Sequence, residues 1–101
     1  MYKPLPDCVT IKKSPLHGLG LFATDYIPSG TELGVILIPH ESDFIRTPLG
    51  GFGNHSESPT CEKYYDYFSG GWYIRTIQDL NPDDEITWKY TLYNPLKPLI
   101  P

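Results

Sequence analysis

Cysteine is scarce in this chain. Only Cys8 and Cys61 occur, and no Cys-x-x-Cys pair exists. Structural zinc sites use closely spaced cysteine and histidine pairs, so such a site is not expected. One disulfide between Cys8 and Cys61 would be allowed, but nothing argues for an oxidising compartment. Positive charge is also scarce: eight Lys and Arg stand against twelve Asp and Glu, for a net charge of −4 and a pI near 5.1. Nucleic-acid binders carry a basic stripe, and only the pair Lys12-Lys13 offers one, so direct DNA or RNA binding is not expected. An acidic surface suits a basic protein partner instead, although −4 is also ordinary solubility charge. No apolar run reaches membrane-spanning length, and no apolar segment follows a basic N-terminus as in a signal peptide. The expectation is a soluble intracellular protein, cytoplasmic or nuclear and not secreted, with no membrane contact.

Eleven prolines and nine glycines punctuate 101 residues. Proline within a helix costs about 3 kcal/mol, so long helices are excluded nearly everywhere. Short segments rich in β-branched and aromatic residues remain, and these predict a mainly β fold with little helix. The strands expected are Val9–Lys13, Leu19–Ala23, Thr31–Ile38, Tyr64–Phe68, Trp72–Ile77 and Glu85–Tyr90. Ser69-Gly70-Gly71 predicts a hairpin, and Pro28-Ser29-Gly30 and Asn81-Pro82-Asp83-Asp84 predict turns. Residues 39–51 read as a loop. The length fits one domain, 1–101, with 94–101 a proline-rich tail. So small a chain has a thin core. Eight Tyr, four Phe and two Trp add buried area per residue, and a homodimer would add more.

Three short stretches carry chemistry. Gly18-Leu19-Gly20 permits unusual backbone angles and close approach of a ligand, or simply a tight turn between strands. It is not a dinucleotide fingerprint, which needs GxGxxG opening a helix. Asn54-His55-Ser56 sets a base beside a hydroxyl, but neighbours on extended chain point to opposite faces, so no nucleophile pair is expected. His17, His40 and His55 lack ligand spacing, so no metal is expected. In Glu85–Tyr90, Ile86, Trp88 and Tyr90 share a face expected to be buried, and Glu85, Thr87 and Lys89 share the other. Read alone, Tyr90 is a core tyrosine.

Taken in order, these stretches resemble the SET domain of protein-lysine methyltransferases, most of all the minimal stand-alone viral SET proteins. The resemblance rests on Gly18-Leu19-Gly20 with Phe22-Ala23, on Asn54-His55-Ser56 with Pro59, and on Glu85-Ile86-Thr87 with Tyr90, over about residues 9–93. It implies a β-clip of small curled sheets whose C-terminal segment forms a pseudoknot under the Asn-His-Ser loop. It implies S-adenosyl-L-methionine as cofactor, held by His17, Gly18, Leu19, Gly20, Asn54, His55, Tyr90 and Tyr93, with Tyr90 catalytic. The implied partner is a protein with an exposed lysine, of basic, histone-like character. Tyr64, Tyr65, Tyr67 and Tyr73 are candidate walls for a lysine channel, or cross-strand packing residues. Three features depart from the family. Thr60 stands where an Asn is usual, 39–51 is short, and no cysteine cluster follows Tyr93. Two other readings stay open: a catalytically weak or inactive peptide- or cofactor-binding module, and a β-clip structural protein.

Overall fold

A computed structural model describes residues 5–89. Eight strands and one short helix follow in chain order: β1 Val9–Lys13, β2 Leu19–Ala23, β3 Glu32–His40, β4 Asp43–Arg46, α1 Pro48–Phe52, β5 Asn54–His55, β6 Cys61–Tyr65, β7 Trp72–Thr76 and β8 Glu85–Trp88. They form two four-stranded sheets, ordered β1-β2-β8-β5 and β4-β3-β7-β6. The expected mainly β architecture of small sheets is what the chain adopts.

The strands follow from side-chain alternation and the core that it builds. On β7, Trp72, Ile74 and Thr76 point inward, while Tyr73 and Arg75 are more open to solvent. Leu21 of β2, Ile74 of β7 and Ile86 of β8 are fully buried, as are Ile27 and Leu80, which join their loops by a two-residue bridge. Trp72, Trp88, Leu33, Ile36, Leu49 and Cys61 add to the core, as do Val9 and Ala23. Buried Thr76 is satisfied, because its hydroxyl donates to Pro28 O at 2.8 Å and accepts from Thr31 N at 2.9 Å. A buried hydroxyl without partners would be costly.

Residues 39–51 are not the loop that their composition predicts. β3 runs on through Pro39 to His40 and turns at Glu41-Ser42 into β4, with His40 opposite Asp43. Glu41 takes a positive φ of 57°, a conformation usually left to Gly, Asn or Asp, so the hairpin carries no sequence signature. Helix α1 follows. Thr47 caps it by accepting from Gly50 N at 3.1 Å, and Pro48 occupies its first turn, the favoured place for proline. Gly50 looks wrong for a helix until the packing is seen: a Cβ there would run into the Ile36 carbonyl oxygen. β6 ends at Tyr65 rather than Phe68, because the Asp66 carboxylate accepts from Phe68 N and Ser69 N and starts the turn early. β8 is described through Trp88, and Tyr90 lies outside the described residues.

Cys8 and Cys61 are both free thiols, so the allowed disulfide does not form. Burial pushes the Cys61 thiol up to about 11, far from the thiolate that reacts. In native protein at pH 7.5, a thiol reagent should therefore label the half-exposed Cys8 well before Cys61, with both labelled after denaturation. Equal native rates by peptide mass spectrometry would contradict this packing. Gly50→Ala should lower stability in urea unfolding, although alanine is about 1 kcal/mol the better helix former. A stabilised variant would mean that the contact with β3 is not tight.

Candidate functional site

β2 and β8 lie side by side, with Leu21 opposite Ile86 and Phe22 opposite Glu85. β5 joins the other edge of β8 in parallel, setting Asn54 beside Thr87 and His55 beside Trp88. This arrangement brings the 17–20 turn, residues 54–55 and Glu85 together. Asn54, only 8 % exposed, holds them. Its Nδ2 donates toward the carbonyls of His17 and Leu19, each at 3.2 Å, and to Glu85 Oε2 at 2.9 Å. The Ser14 hydroxyl donates to the same carboxylate at 2.9 Å and accepts from Leu16 N at 2.9 Å. Gly20 sits over this cluster, and a Cβ there would fall on Glu85 Oε2 and within 2.9 Å of Asn54 Nδ2. A side chain at the second glycine of the pair would thus displace the protein's own polar groups. The first differs: Gly18 has a φ of 45° and open space where a Cβ would be.

The carbonyls of the turn are committed. Those of His17 and Leu19 face Asn54, and that of Gly18 accepts from Ser14 N at 2.7 Å. Among the described residues Asn54 uses its Nδ2, and its Oδ1 remains available as an acceptor. Gly53 precedes it so that the chain can lie flat on the Trp88 ring, which a Cβ would penetrate. At the rim, His55 Nε2 lies 2.7 Å from Glu57 Oε2, and Lys89 Nζ lies 3.4 Å from Glu57 Oε1. The hydrogen bond from His55, and then the contact with Lys89, hold the Glu57 carboxyl below its usual range. Ser56 Oγ accepts from Ser58 N at 3.0 Å. His55 and Ser56 thus each have a partner beyond the other. No cluster of three potential metal ligands occurs among the described residues.

His17, Gly18, Leu19, Gly20, Asn54 and His55 therefore gather at one place. Tyr90 and Tyr93 lie outside the described residues, which end at Lys89. The sequence marks Glu85 and Thr87 as part of the family pattern and Thr60 as a departure from it, but gives none of them, nor Ser14, a place in the site. Glu85 and Thr87 lie opposite the face of β8 expected to be buried, yet Thr87 is buried too, with Thr60 bonded to it. Thr60 and Thr87 bond reciprocally: Thr60 N donates to Thr87 Oγ1 at 3.1 Å, and Thr87 N to Thr60 Oγ1 at 3.0 Å. The Thr60 hydroxyl also donates to Glu85 O at 3.0 Å. The unusual threonine is thus a working clamp. Of the candidate channel tyrosines, Tyr64 and Tyr73 stack on each other across β6 and β7, with centroids 5.8 Å apart. Tyr65 packs edge-on against Trp72 and Tyr67.

A family model described as "SET domain" matches residues 38–91, just over half of the chain. Among solved structures, the chain is similar to a Plasmodium falciparum protein described as a "putative histone methyltransferase". The TM-score is 0.68 and the identity 21%, over 87% of this chain and 96% of that one. At that identity the likeness shows the fold. No curated protein matches the chain.

Thr60→Val keeps the side-chain shape and removes the hydroxyl. It should cost about 1–3 kcal/mol in urea unfolding, the penalty for leaving the buried Thr87 N–H unpaired. A change under roughly 0.5 kcal/mol, within the range of ordinary surface substitutions, would mean that Thr60 does not clamp the loop.

Proposed function

The chain belongs to the SET domain family, and from that premise we propose that it is an S-adenosyl-L-methionine-dependent protein-lysine methyltransferase. Its substrate would be a basic protein segment presenting a lysine. One observation carries this reading: the Asn54 side chain gathers the 17–20 turn, β5 and β8 into one wall, the three stretches on which the family resemblance rests. The net charge of −4 suits a basic partner. The Plasmodium falciparum "putative histone methyltransferase" that shares the fold points toward the same class of partner.

The residues present fit the cofactor. Open space over Gly18 lets a ligand approach the backbone closely. Because the carbonyls of 17–19 are already bonded, a carboxylate would meet this turn through N–H groups, and Asn54 Oδ1 could accept from an ammonium. His17, Gly18, Leu19 and Gly20 would line one side, with Asn54 and His55 on the other. Tyr90 and Tyr93 would close the site from beyond the described residues.

When bound, S-adenosyl-L-methionine supplies a methyl group on a positively charged sulfonium. The protein's part is to deliver a neutral amine to it. Lysine, with an unperturbed pKa of about 10.4, is almost wholly protonated near pH 7 and then has no lone pair. Desolvation beside a positive charge favours loss of that proton. The Tyr90 oxygen would orient the amine, and holding it in line lowers the barrier by proximity alone. No covalent nucleophile is needed. A reading as a binding module without turnover draws on the brevity of 39–51, which is a hairpin strand and a five-residue helix.

Wild-type protein should melt at higher temperature with S-adenosyl-L-methionine, since a ligand at 100 times its dissociation constant adds about 2.7 kcal/mol. Asn54→Ala should abolish that shift while the protein stays folded by circular dichroism. Tyr90→Phe should keep the shift and lose most labelled-methyl transfer onto basic peptides, read by mass spectrometry. Wild-type binding without transfer to any peptide would favour the binding module. An undiminished shift in Asn54→Ala would refute the site.

A further inference from the structure

The outer face of the β6–β7 hairpin carries a second constellation. Tyr64 pairs with Tyr73 across the strands, and Glu62 pairs with Arg75. The Arg75 guanidinium lies 4.3 Å over the Tyr64 ring, and its Nε donates to Glu62 Oε2 at 2.6 Å. This face therefore already holds one cation, the chain's own, between an aromatic ring and a carboxylate. Next to it is a cleft of about 300 Å³ lined by Glu32, Tyr64, Asp66 and Tyr73. It shares the Tyr64 ring with that arrangement and adds the Tyr73 ring and two carboxylates. Glu32 stands opposite Arg75 across β3 and β7, and none of the four lining residues is itself cationic.

The lining groups are fixed in place and keep capacity to bind. Burial and a hydrogen bond to Glu32 push the Tyr64 hydroxyl up to about 12, so it stays a neutral donor. The Tyr73 hydroxyl is 3.3 Å from Ser69 Oγ. Asp66 accepts from two turn N–H groups, and a carboxylate has about four acceptor positions. Beside the cleft, the hairpin tip exposes Tyr67 and Phe68, the latter completely.

The geometry points to a docking site for a cationic side chain, a guanidinium or an ammonium, carried by a basic segment of a partner protein. A planar guanidinium can stack on an aromatic ring while its N–H groups reach carboxylates. Phosphate would be repelled by Glu32 and Asp66, which disfavours nucleic acid. The cleft is built from other elements than the wall that Asn54 gathers. Asn54 belongs to the β1-β2-β8-β5 sheet, whereas three of the lining residues lie on or just beyond strands of the other sheet's β6–β7 hairpin and Glu32 opens its β3. The inference therefore stands whether or not the cofactor site does.

Amide chemical shifts of the full chain, titrated with N-acetyl-arginine methylamide and with a hexa-arginine peptide, test it. Shifts should concentrate at Glu32, Tyr64, Asp66 and Tyr73, and the peptide affinity should fall at least tenfold in the double variant Glu32→Gln/Tyr73→Leu. Glu32→Gln alone preserves shape and should weaken binding severalfold, so it decides the matter should the double variant not fold. Shifts scattered over the acidic surface would overturn the proposal. So would equal shifts with neutral N-acetyl-glutamine methylamide, or an affinity unchanged in Glu32→Gln. S-adenosyl-L-methionine binding should be the same in wild type and Glu32→Gln, so a failed cofactor assay leaves this result intact.

Discussion

A single amide group ties the candidate site together. Asn54 Nδ2 faces two carbonyls of the 17–20 turn and a carboxylate oxygen of Glu85. Each acceptor comes from a region remote in sequence, so the amide fixes a tertiary relation rather than a local one. Buried polar groups are costly unless satisfied, and here the arrangement satisfies several at once. A Cβ at Gly20 would push the Asn54 amide and the Glu85 carboxylate out of the space they fill beside it. The turn, the carboxylate and the amide therefore constrain one another.

The same logic extends along β8. Trp88 lies flat beneath Gly53, and Thr87 exchanges hydrogen bonds with Thr60. The segment 53–60 is thus pressed onto β8 by an aromatic platform at one end and a hydroxyl clamp at the other. Asn54 sits between these anchors, which explains how a two-residue strand can hold a side chain precisely. Threonine can serve at position 60 because its one oxygen both accepts from Thr87 N and donates to Glu85 O.

Much of the fold was legible from local patterns. The strands Val9–Lys13 and Leu19–Ala23 were readable to the residue, because alternation and flanking turns marked both ends. Residues 43–52 were not. The Glu41 turn lacks its customary residue type, and α1 contains two glycines that its own propensity disfavours. In both cases contacts with β3 outweigh the local preference. The motif residues at 17–20 and 54–55 were visible as family signatures. Glu85 and Thr87 were visible as part of the family pattern and Thr60 as a departure from it. The roles of these three and of Ser14 were not, since single hydroxyls and carboxylates on strands look like surface residues until their partners are known.

Sequence alone therefore determined what short-range physics controls: strand periodicity, exclusion of long helices by proline, turn positions, acidic character, and the glycines and asparagine that mark the motif. Tertiary structure decided which side chains meet. Only there does Gly20 prove to be the space for a carboxylate, Thr87 prove buried on the face of β8 opposite Ile86, and Tyr64 and Tyr73 join Glu32 and Asp66 around one cleft. Hydrogen bonds and ring contacts between residues tens of positions apart depend on sheet order and register, and no local stretch of chain encodes those.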